Sequence, residues 1–529
     1  MTATDPKTSL PPAPPPTREE LAAENARLKA EIQWLKEQVG LARHRLYAPS
    51  SEKSAVGQEA LLFNEAEACA GVEAPEPISE TITYTRRKKL TGQRELNLSG
   101  LPVEEILYDL PQSEQVCPQC DGHLHAMGAD ERTELKIVPA QVIVVKHRRL
   151  KYTCRHCQQH HIKTPVVTAA MPTPAFPNSL ASPAAVAHIL VEKFVMGTPL
   201  YRQEAAFARM GVTLSRQTLS NWTLTGANWL TPLSARLKRE LLTRDIAHAD
   251  ETTLQVLKEA GRAATTESYL WLYRSGRDGP PIVLFEYQPT RAGQHPRTFL
   301  KGFSGFLHVD GYQGYEGLSG VTLIGCWAHA RRKFLDAINV LPVRERKQGG
   351  TASHVGLDYC NQLFDIERDL KDVSPEERFA ARQQRSQAVL TKFRAWLDVV
   401  CVSALPKSKL GEAVGYCLNQ WSKLQGFLLD GRLELDNNRS ERSIKPFVIG
   451  RKNWLFANTP KGARSSATIY SLVETAKENG LNPQAYLTYL FEQLPQLNLK
   501  DTKALDGLLP WSEAVQARCR VPQKPTRPD

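Results

Sequence analysis

Apolar side chains recur at heptad spacing near the beginning of the chain. From residue 21 to residue 46 they occupy successive a and d positions, and Asn25 is a polar residue at one a position. A lone asparagine at an a position fixes the register of paired helices. The pattern predicts a self-associating coiled coil at residues 17–48; an amphipathic helix packed on its own protein is the alternative. The proline-rich residues 1–16 before it are expected to be disordered.

Residues 49–110 show no sustained apolar period, and we expect them to form a linker. Within this segment an acidic stretch is followed by the basic run Arg86–Lys89. Such a run is either a solvated surface or a contact to phosphate. After the linker, short apolar runs predict two strands, at residues 141–146 and 150–153.

Three helices are predicted within residues 171–235, after a proline-rich joint. The predicted helices are residues 178–194, 198–210 and 216–225. Gly211 supplies the turn before the third helix and Ser215 supplies its N-terminal cap, while Leu219 and Trp222 face the core. This is the layout of a helix-turn-helix, whose last helix reads base edges from its N-terminal end; a helical bundle between two domains is the alternative. The candidate base-reading residues are Arg216, Gln217, Ser220 and Asn221.

From residue 240 the pattern changes to strands. They are predicted at residues 246–257, 268–273, 281–286, 305–309 and 321–325, with a helix beginning near Trp327. Three consecutive strands followed by two more strands with helices is the order of a ribonuclease-H-like fold. We expect this core at residues 240–335 and 431–490, interrupted by a helical insertion at 336–430.

A capping box marks one helix start within that insertion. Ser374 is the cap, Pro375 occupies the first helical position and Glu377 completes the box. Residues 491–529 are expected to form a C-terminal segment. The fold class predicted for the whole chain is multidomain α/β with a small β unit, preceded by the coiled coil and the helix-turn-helix region.

Charge and cysteine content narrow the possible partners. The 529 residues carry a formal net charge of +11, which favours a polyanion such as nucleic acid. No apolar run is long enough to span a membrane, and the beginning of the chain does not resemble a signal peptide, so we expect a cytosolic protein. Ten cysteines in a reducing compartment point to metal binding or packing rather than to disulfides.

Two CxxC motifs predict a structural zinc site within residues 111–170. The motifs lie 33 residues apart, and each can direct two thiolates to one ion, which gives a tetrahedral site of four cysteines. A redox pair or unrelated buried cysteines are the alternatives. The predicted zinc ligands are Cys117, Cys120, Cys154 and Cys157. Lys146, Arg148 and Arg149 would make one edge of this zinc ribbon basic.

Two aspartates fall on predicted strands of the core. Asp250 lies in the middle of the first strand, and Asp310 ends the fourth strand, which should lie beside it. A buried carboxylate without a partner costs several kcal/mol, so a pair of them favours a bound cation. Divalent cations that bind oxygen, Mg²⁺ or Mn²⁺, are therefore the expected cofactors. The alternatives are a strand-edge carboxylate for Asp250 and a simple turn for Asp310.

Glu441 is the best candidate for a third carboxylate on a downstream helix. It lies among cations that can follow a DNA backbone. With Asn438 it also fits a capping box, so it has a purely structural alternative, and Glu434 and Asp436 are nearby rivals. The cations that we expect to contact DNA around these acids are His329, Arg331, Arg332, Arg442, Lys445, Arg451 and Lys452. His329 has an equally good interpretation as a packed histidine.

Several motifs resemble the insertion sequence 66 transposase family. They are His248–Thr252 (HADET), His308–Tyr315 (HVDGYQGY), Cys326–Phe334 (CWAHARRKF), Asp436–Arg442 (DNNRSER), Gly450–Phe456 (GRKNWLF) and Ser471–Pro483 (SLVETAKENGLNP). The resemblance extends over nearly the whole chain. It implies a DDE catalytic triad at Asp250, Asp310 and Glu441, and small accessory proteins encoded by the same element.

The resemblance implies a bacterial, nucleoid-associated DNA transposase. Its expected reaction is hydrolysis at the ends of the element, followed by attack of the freed 3′ hydroxyl on target DNA with two metal ions. The expected partners are the terminal inverted repeats, target DNA and further copies of the chain through the coil. Two alternatives remain: a zinc-ribbon DNA-binding protein without catalysis, and a structure-specific nuclease. Tyr312 and Tyr315 are interpreted as packing residues.

Overall fold

The computed structural model describes residues 141–153 and 166–522, together with residue 159 and seven positions between 24 and 35, which are helical. The predicted coiled coil lies almost entirely outside the described residues. The predicted disordered start, the linker and the four cysteines of the predicted zinc ribbon lie wholly outside them.

A small antiparallel ribbon is the first described unit. Its strands are β1 (Lys151–Thr153) and β2 (Val166–Thr168), with Tyr152 opposite Val167. The strand predicted at residues 141–146 is wrong, because residues 141–150 have no regular structure. Their apolar side chains are exposed. Within the described ranges no strand pairs with residues 141–146, so their backbone groups have no hydrogen-bonded partner strand.

Three helices follow, as predicted, with changed ends. They are α1 (Pro183–Phe194), α2 (Leu200–Arg209) and α3 (Arg216–Leu241). The first begins five residues later than predicted, because the Ser182 hydroxyl caps it by accepting from the Ala185 amide. The Ser215 cap of α3 is confirmed, and Gly211 makes the turn with φ +83°. Leu219 and Trp222 are buried, also as predicted.

A five-stranded mixed sheet lies at the centre of the fold. Its strands are β3 (Ile246–Gln255), β4 (Glu267–Ser275), β5 (Val283–Gln288), β6 (Gly305–His308) and β7 (Val321–Ile324), with α4 (Gln294–Phe299) before β6. The order across the sheet is β5-β4-β3-β6-β7. The pairs β3–β4 and β4–β5 are antiparallel, whereas β3–β6 and β6–β7 are parallel. All five predicted strands are present, and their ends shift by at most two residues.

The chain after β7 is helical. The helix predicted near Trp327 is α5 (Trp327–Asn339), and the region of the predicted insertion contains α6 (Val343–Gln348), α7 (Ala352–Asp369), α8 (Pro375–Ala381), α9 (Gln387–Ser403), α10 (Lys409–Asn419) and α11 (Trp421–Leu424). A π-helical turn, Arg382–Ser386, joins α8 to α9. The Ser374–Glu377 capping box is confirmed in both directions.

The last helices return to the sheet. They are α12 (Asn438–Trp454), α13 (Pro460–Glu478), α14 (Pro483–Gln493), α15 (Thr502–Asp506) and α16 (Glu513–Cys519). Helix α13 packs against β5, where the Ser471 and Thr475 hydroxyls bond the backbone of Phe285 and Val283. None of the helices in the described ranges is long and apolar enough to cross a membrane.

The described residues form two large hydrophobic cores and a small third cluster of Ile246, Ile324 and Leu433. The larger one joins α1–α3, the sheet and the C-terminal helices. The second joins α5 to the helices of the insertion, with Trp327 and Phe334 fully buried at its centre. Helix α5 therefore packs on the helices of the insertion.

Candidate active site

The register of the sheet brings two aspartates together. Strands β3 and β6 run parallel with His248 opposite His308, an offset of 60 residues (308 − 248). The same offset separates Asp250 from Asp310. Each follows its histidine by two residues, and side chains two residues apart on a strand point to the same face of the sheet. The two histidine rings stack, with centroids 4.3 Å apart, two residues before the aspartates on the paired strands.

Local hydrogen bonds orient both aspartates. One carboxylate oxygen of Asp250 accepts from the Glu251 amide at 2.9 Å, and one of Asp310 accepts from the Tyr312 amide at 2.9 Å. The Asp310 carbonyl accepts from the Tyr416 hydroxyl at 2.8 Å, which fixes the turn from the side of the insertion. Gly311 has φ +103° in this turn, a conformation that favours glycine.

Glu441 lies in the first turn of α12, close to an arginine and a histidine side chain of α5. Its Oε2 is 3.4 Å from Arg332 Nη2, and its Oε1 is 3.9 Å from His329 Nε2. The Glu441 side chain is 18% exposed. The capping box with Asn438 does not form: α12 begins at Asn438 itself, whose side chain donates to Asp436.

Glu441 interacts electrostatically with Asp250, and both Glu441 and Asp310 act on His329. Burial raises the pKa of Asp250 well above its ordinary value, and the charges of Glu251, Asp310 and Glu441 raise it further. Burial lowers the pKa of His329, as does the Arg332 charge, while Asp310 and Glu441 oppose that shift. Asp250, Asp310 and Glu441 therefore form one acidic cluster, with His329 at its edge.

This acidic cluster is not a preformed metal cage. Among the described residues, no group of three His, Cys, Asp or Glu side chains has an arrangement that could hold a metal ion. The charges of Asp310 and Glu441 both disfavour the charged form of Asp250, and Glu441 faces the Arg332 guanidinium. A shared cation would require Glu441 to turn away from Arg332.

The two rivals of Glu441 differ in their surroundings. Glu434 forms ion pairs with Arg277 and Arg439, at 2.6 and 2.9 Å. Burial raises the pKa of Glu434, but the nearby His248 and these cations outweigh that effect and hold it below its ordinary value. Burial raises the pKa of Asp436, and the charges of Glu434 and Glu441 add to that shift, so Asp436 borders the acidic cluster.

Sequence reasoning missed Asn437, which is 1% exposed. Its side-chain nitrogen donates to the Ala249 carbonyl at 2.9 Å, and its oxygen lies 3.0 Å from His248 Nδ1. Burial lowers the pKa of His248 to about 4, so this imidazole is neutral and its Nδ1–H donates to Asn437. Asn437 thus fastens the start of the helix that carries Glu441 to the strand that carries Asp250.

Sequence reasoning also missed Glu251, whose side chain is 2% exposed. It accepts from Arg291 Nε at 2.8 Å and from the Tyr315 hydroxyl at 2.6 Å. The Arg291 guanidinium in turn lies 3.9 Å from the Tyr312 ring centroid. These contacts hold the turn after Asp310 against β3. The adjacent Asp-Glu pair inside a predicted strand was the signal available in the sequence.

The candidate DNA-contacting residues fall into two groups. Arg331 and Arg451 make contacts within the fold, Arg331 to Asn361 at 2.8 Å and Arg451 to Thr252 at 3.2 Å. Arg216 is exposed but pairs with Glu204 at 2.9 Å. The others that lie exposed or half-exposed are Lys146, Arg148, Arg149, Gln217, Ser220, Asn221, His329, Arg332, Arg442, Lys445 and Lys452.

Comparison with protein families gives four matches along the chain. Residues 178–465 match the model described as Transposase IS66 family. Residues 114–158 match the zinc-finger binding domain of transposase IS66, and residues 471–511 match the IS66 C-terminal element. Residues 34–106 match Transposase C of IS166 homeodomain. The first match alone covers more than half of the chain.

Relatives from Sinorhizobium fredii (strain NBRC 101917 / NGR234) match over most of their length. Uncharacterized protein y4jD is 34% identical over 436 residues, which are 79% of this chain and 82% of that protein. Uncharacterized protein y4qI is 32% identical over 428 residues, 78% of this chain and 75% of that protein. The chain belongs to the IS66 transposase family, which supports a role in transposition with DNA as the partner.

Proposed function

We propose that this protein cuts DNA at the ends of its element and joins the freed 3′ hydroxyl to target DNA. The observation that carries the proposal is the acidic cluster. It combines two aspartates from adjacent parallel strands with a glutamate from a helix that is fastened to one of those strands. We assign Asp250, Asp310 and Glu441 as its catalytic carboxylates.

The sheet supports a ribonuclease-H-like core for this chemistry. Three antiparallel strands followed by two parallel strands give the order β5-β4-β3-β6-β7, with the acids at the junction of the two parts. We propose that this core comprises residues 240–335 and 431–490 and that residues 336–430 are an insertion into it. The helix-turn-helix at 171–235 and the zinc ribbon at 111–170 would bind DNA ahead of the core.

The residues at the acidic cluster suit divalent metal. Burial and neighbouring carboxylates disfavour the charged form of Asp250, and a hard cation with oxygen ligands would offset that cost. Asp250, Asp310 and Glu441 would hold Mg²⁺ or Mn²⁺. When bound, two such ions stabilise the attacking and leaving oxygens of a phosphodiester.

Side chains of α5 would hold the DNA strand beside these acids. Arg332 is 46% exposed and pairs with Glu441, so a backbone phosphate can take over its guanidinium and release Glu441 toward the aspartates. His329 lies 3.9 Å from Glu441 and is 25% exposed, so it would donate a hydrogen bond to the same phosphate.

Each of the two steps exchanges one oxygen on phosphorus. In the first, a water oxygen bonds to phosphorus, the bond to the 3′ oxygen breaks, and that oxygen takes up a proton. In the second, the freed 3′ hydroxyl gives up its proton as its oxygen bonds to a target phosphorus. The bond from that phosphorus to the target 3′ oxygen breaks, and the displaced oxygen takes up a proton.

We further propose structural Zn²⁺ on Cys117, Cys120, Cys154 and Cys157. The family match at residues 114–158 supports this site. We also propose that the N-terminal coil joins copies of the chain, and that small proteins of the same element assist it.

A cleavage assay with the full-length protein tests the function. The substrate is a labelled duplex that carries the terminal inverted repeat of the element, incubated with Mg²⁺. We expect a nick at the element boundary and joining of the 3′ end to added plasmid. Asp250→Asn and Glu441→Gln should lower the rate at least about 100-fold while DNA binding is retained.

Asp245→Asn is the matched control. Asp245 lies just before β3, and its side chain is 64% exposed and pairs with Arg432 outside the acidic cluster. This variant should cleave like the wild type. Binding without any nick would contradict the enzyme and favour a DNA-binding protein, and nicking without joining would favour a nuclease.

A further inference from the structure

Helix α12 ends in two apolar side chains that the fold holds outward. Leu455 is 62% exposed and Phe456 is 41% exposed, directly after Trp454 at the end of the helix. We call this pair the Leu455–Phe456 tip. The acidic cluster does not involve it, and both residues lie within the GRKNWLF motif.

The backbone at the tip has a rare conformation. Leu455 has φ +65° and ψ −53°, and the Phe456 amide donates to the Trp454 carbonyl at 2.8 Å. These values describe the strained form of the γ-turn, which non-glycine residues rarely adopt. A strained backbone persists when the surrounding structure over-determines it, and such strain concentrates at functional sites.

Neighbouring contacts fix the tip on both sides. Before it, the Leu455 amide donates to the Arg451 carbonyl at 2.7 Å. After it, Ala457 exchanges backbone hydrogen bonds with Gln255 and Leu257, each 3.0 Å long, at the end of β3. The backbone of the tip is therefore attached to the strand that carries Asp250, and its two side chains are exposed there.

The charge around the tip fits a polyanion. From residue 442 to residue 473 the chain contains six cations and no acidic residue, namely Arg442, Lys445, Arg451, Lys452, Lys461 and Arg464. Lys258, whose amide donates to the Asn458 carbonyl, is also exposed beside the tip, although Glu267 lies near Arg451. An exposed apolar pair within a basic surface suits DNA better than it suits an acidic or purely apolar protein face.

One face of α12 leads from the acidic cluster to the tip. Glu441, Lys445, Ile449 and Lys452 are spaced by four, four and three residues and therefore share that face. From Glu441 to Leu455 is 14 residues (455 − 441), or about 21 Å along a helix. At about 3.4 Å per base pair this distance corresponds to roughly six base pairs of DNA.

We infer that the Leu455–Phe456 tip inserts between two base pairs of the bound element end, roughly six base pairs from the cleaved phosphate. The placement of the DNA rests on the proposed function. Phe456 stacks on the exposed base, Leu455 fills the opened step, and the flanking cations hold the backbone on either side.

Base unstacking can be measured without cleavage. Duplexes of the element end carry 2-aminopurine at one position each, from three to nine base pairs from the boundary, and full-length protein is added without Mg²⁺. We expect a fluorescence rise of several-fold at one position near six. Phe456→Ala should abolish the rise and weaken binding by about 5- to 150-fold, whereas Phe456→Tyr should retain both.

Phe379→Ala is the matched control, because Phe379 is 42% exposed and lies on α8 of the insertion. It should leave the signal unchanged. The inference is overturned if the wild type binds without unstacking any position, or if Phe456→Ala retains the rise. It is also overturned if Phe456→Ala changes only the oligomeric mass, since the tip would then be a protein contact. Asp250→Asn should still unstack DNA, so failed chemistry and a failed tip give different results.

Discussion

The side-chain amide of Asn437 donates to the backbone carbonyl of Ala249 across 188 residues of sequence, at 2.9 Å. Ala249 precedes Asp250, and Asn437 lies four residues before Glu441. This hydrogen bond therefore helps to set the distance between the helix glutamate and the strand aspartate, together with the contact of Asn437 to His248.

Asn437→Ala should impair turnover more than DNA binding. It removes the donor to Ala249 and the acceptor for His248, leaving two buried groups unsatisfied, which costs about 2–4 kcal/mol of folding free energy. At a temperature where the variant is folded, we expect kcat for nicking to fall at least about tenfold with KM for DNA nearly unchanged. Asn419→Ala, at an exposed asparagine of α10, is the control. An unchanged kcat would refute the positioning role.

Asp250→Asn should stabilise the protein when no divalent cation is present. The substitution removes one charge from a cluster in which Glu251, Asp310 and Glu441 repel it. We expect the Tm to rise by about 2 °C or more relative to the wild type. Added Mg²⁺ should raise the Tm of the wild type but not that of the variant. Differential scanning calorimetry with and without Mg²⁺ measures both effects, and an equal Mg²⁺ response in the two proteins would exclude Asp250 as a ligand.

Arg382→Met should destabilise the joint between the insertion and the core. The Arg382 side chain is 1% exposed and pairs with Glu367 at 2.7 Å. It also donates to the carbonyls of Phe427, Asp430 and Leu433. The substitution leaves Glu367 without its ion-pair partner and three carbonyls without their donor. We therefore expect the free energy of unfolding in urea to fall by about 3–5 kcal/mol.

Arg385→Met provides the comparison for that measurement. Arg385 pairs with Asp369 at 2.6 Å, but both side chains are largely exposed, at 45% and 61%. Exposed pairs contribute about 0–1 kcal/mol, so this variant should unfold nearly like the wild type. Similar losses in the two variants would contradict the role assigned to burial.

Lys193 should make stability depend on pH in the alkaline range. Its Nζ lies 5.5 Å from the Phe194 ring centroid and 5.7 Å from that of Trp454, and burial lowers its pKa to about 8. Between this value and about 10.4 the unfolded chain binds more protons, so the free energy of unfolding from this group rises with pH. Below pH 8 the cost of burying the charge is fully present.

At pH 7, Lys193→Met should therefore have a larger free energy of unfolding in urea than the wild type, by about 3 kcal/mol. The difference should shrink as the pH approaches 10. Lys500→Met, at an exposed lysine, should show no such trend. A constant difference at both pH values would contradict the lowered pKa.

The sheet was predictable because its strands are short apolar runs bounded by glycine and polar turns. Asp250 and Asp310 were found for the same reason, since each interrupts or ends such a run. The predicted strand at residues 141–146 is wrong because a strand requires a pairing partner, which an isolated segment cannot reveal. The end of α3 was placed too early, at Thr225. The helix continues through Pro232, because buried leucines extend its apolar stripe to Leu241.

The contacts that assemble the acidic cluster were beyond sequence reasoning. Asn437 bonds to Ala249, and Tyr416 of the insertion bonds to the Asp310 carbonyl 106 residues away. Neither partner can be inferred from local spacing. The competing interpretation of Glu441 as a capping residue was resolved only by the start of α12, because adjacent asparagines fit the pattern equally well.

The two faces of α5 contact different parts of the protein. One presents His329 and Arg332 to the acids, and the other buries Trp327, Ala330 and Phe334 among the insertion helices. Deleting the insertion would therefore expose the apolar face of α5 and destabilise the helix that carries His329 and Arg332.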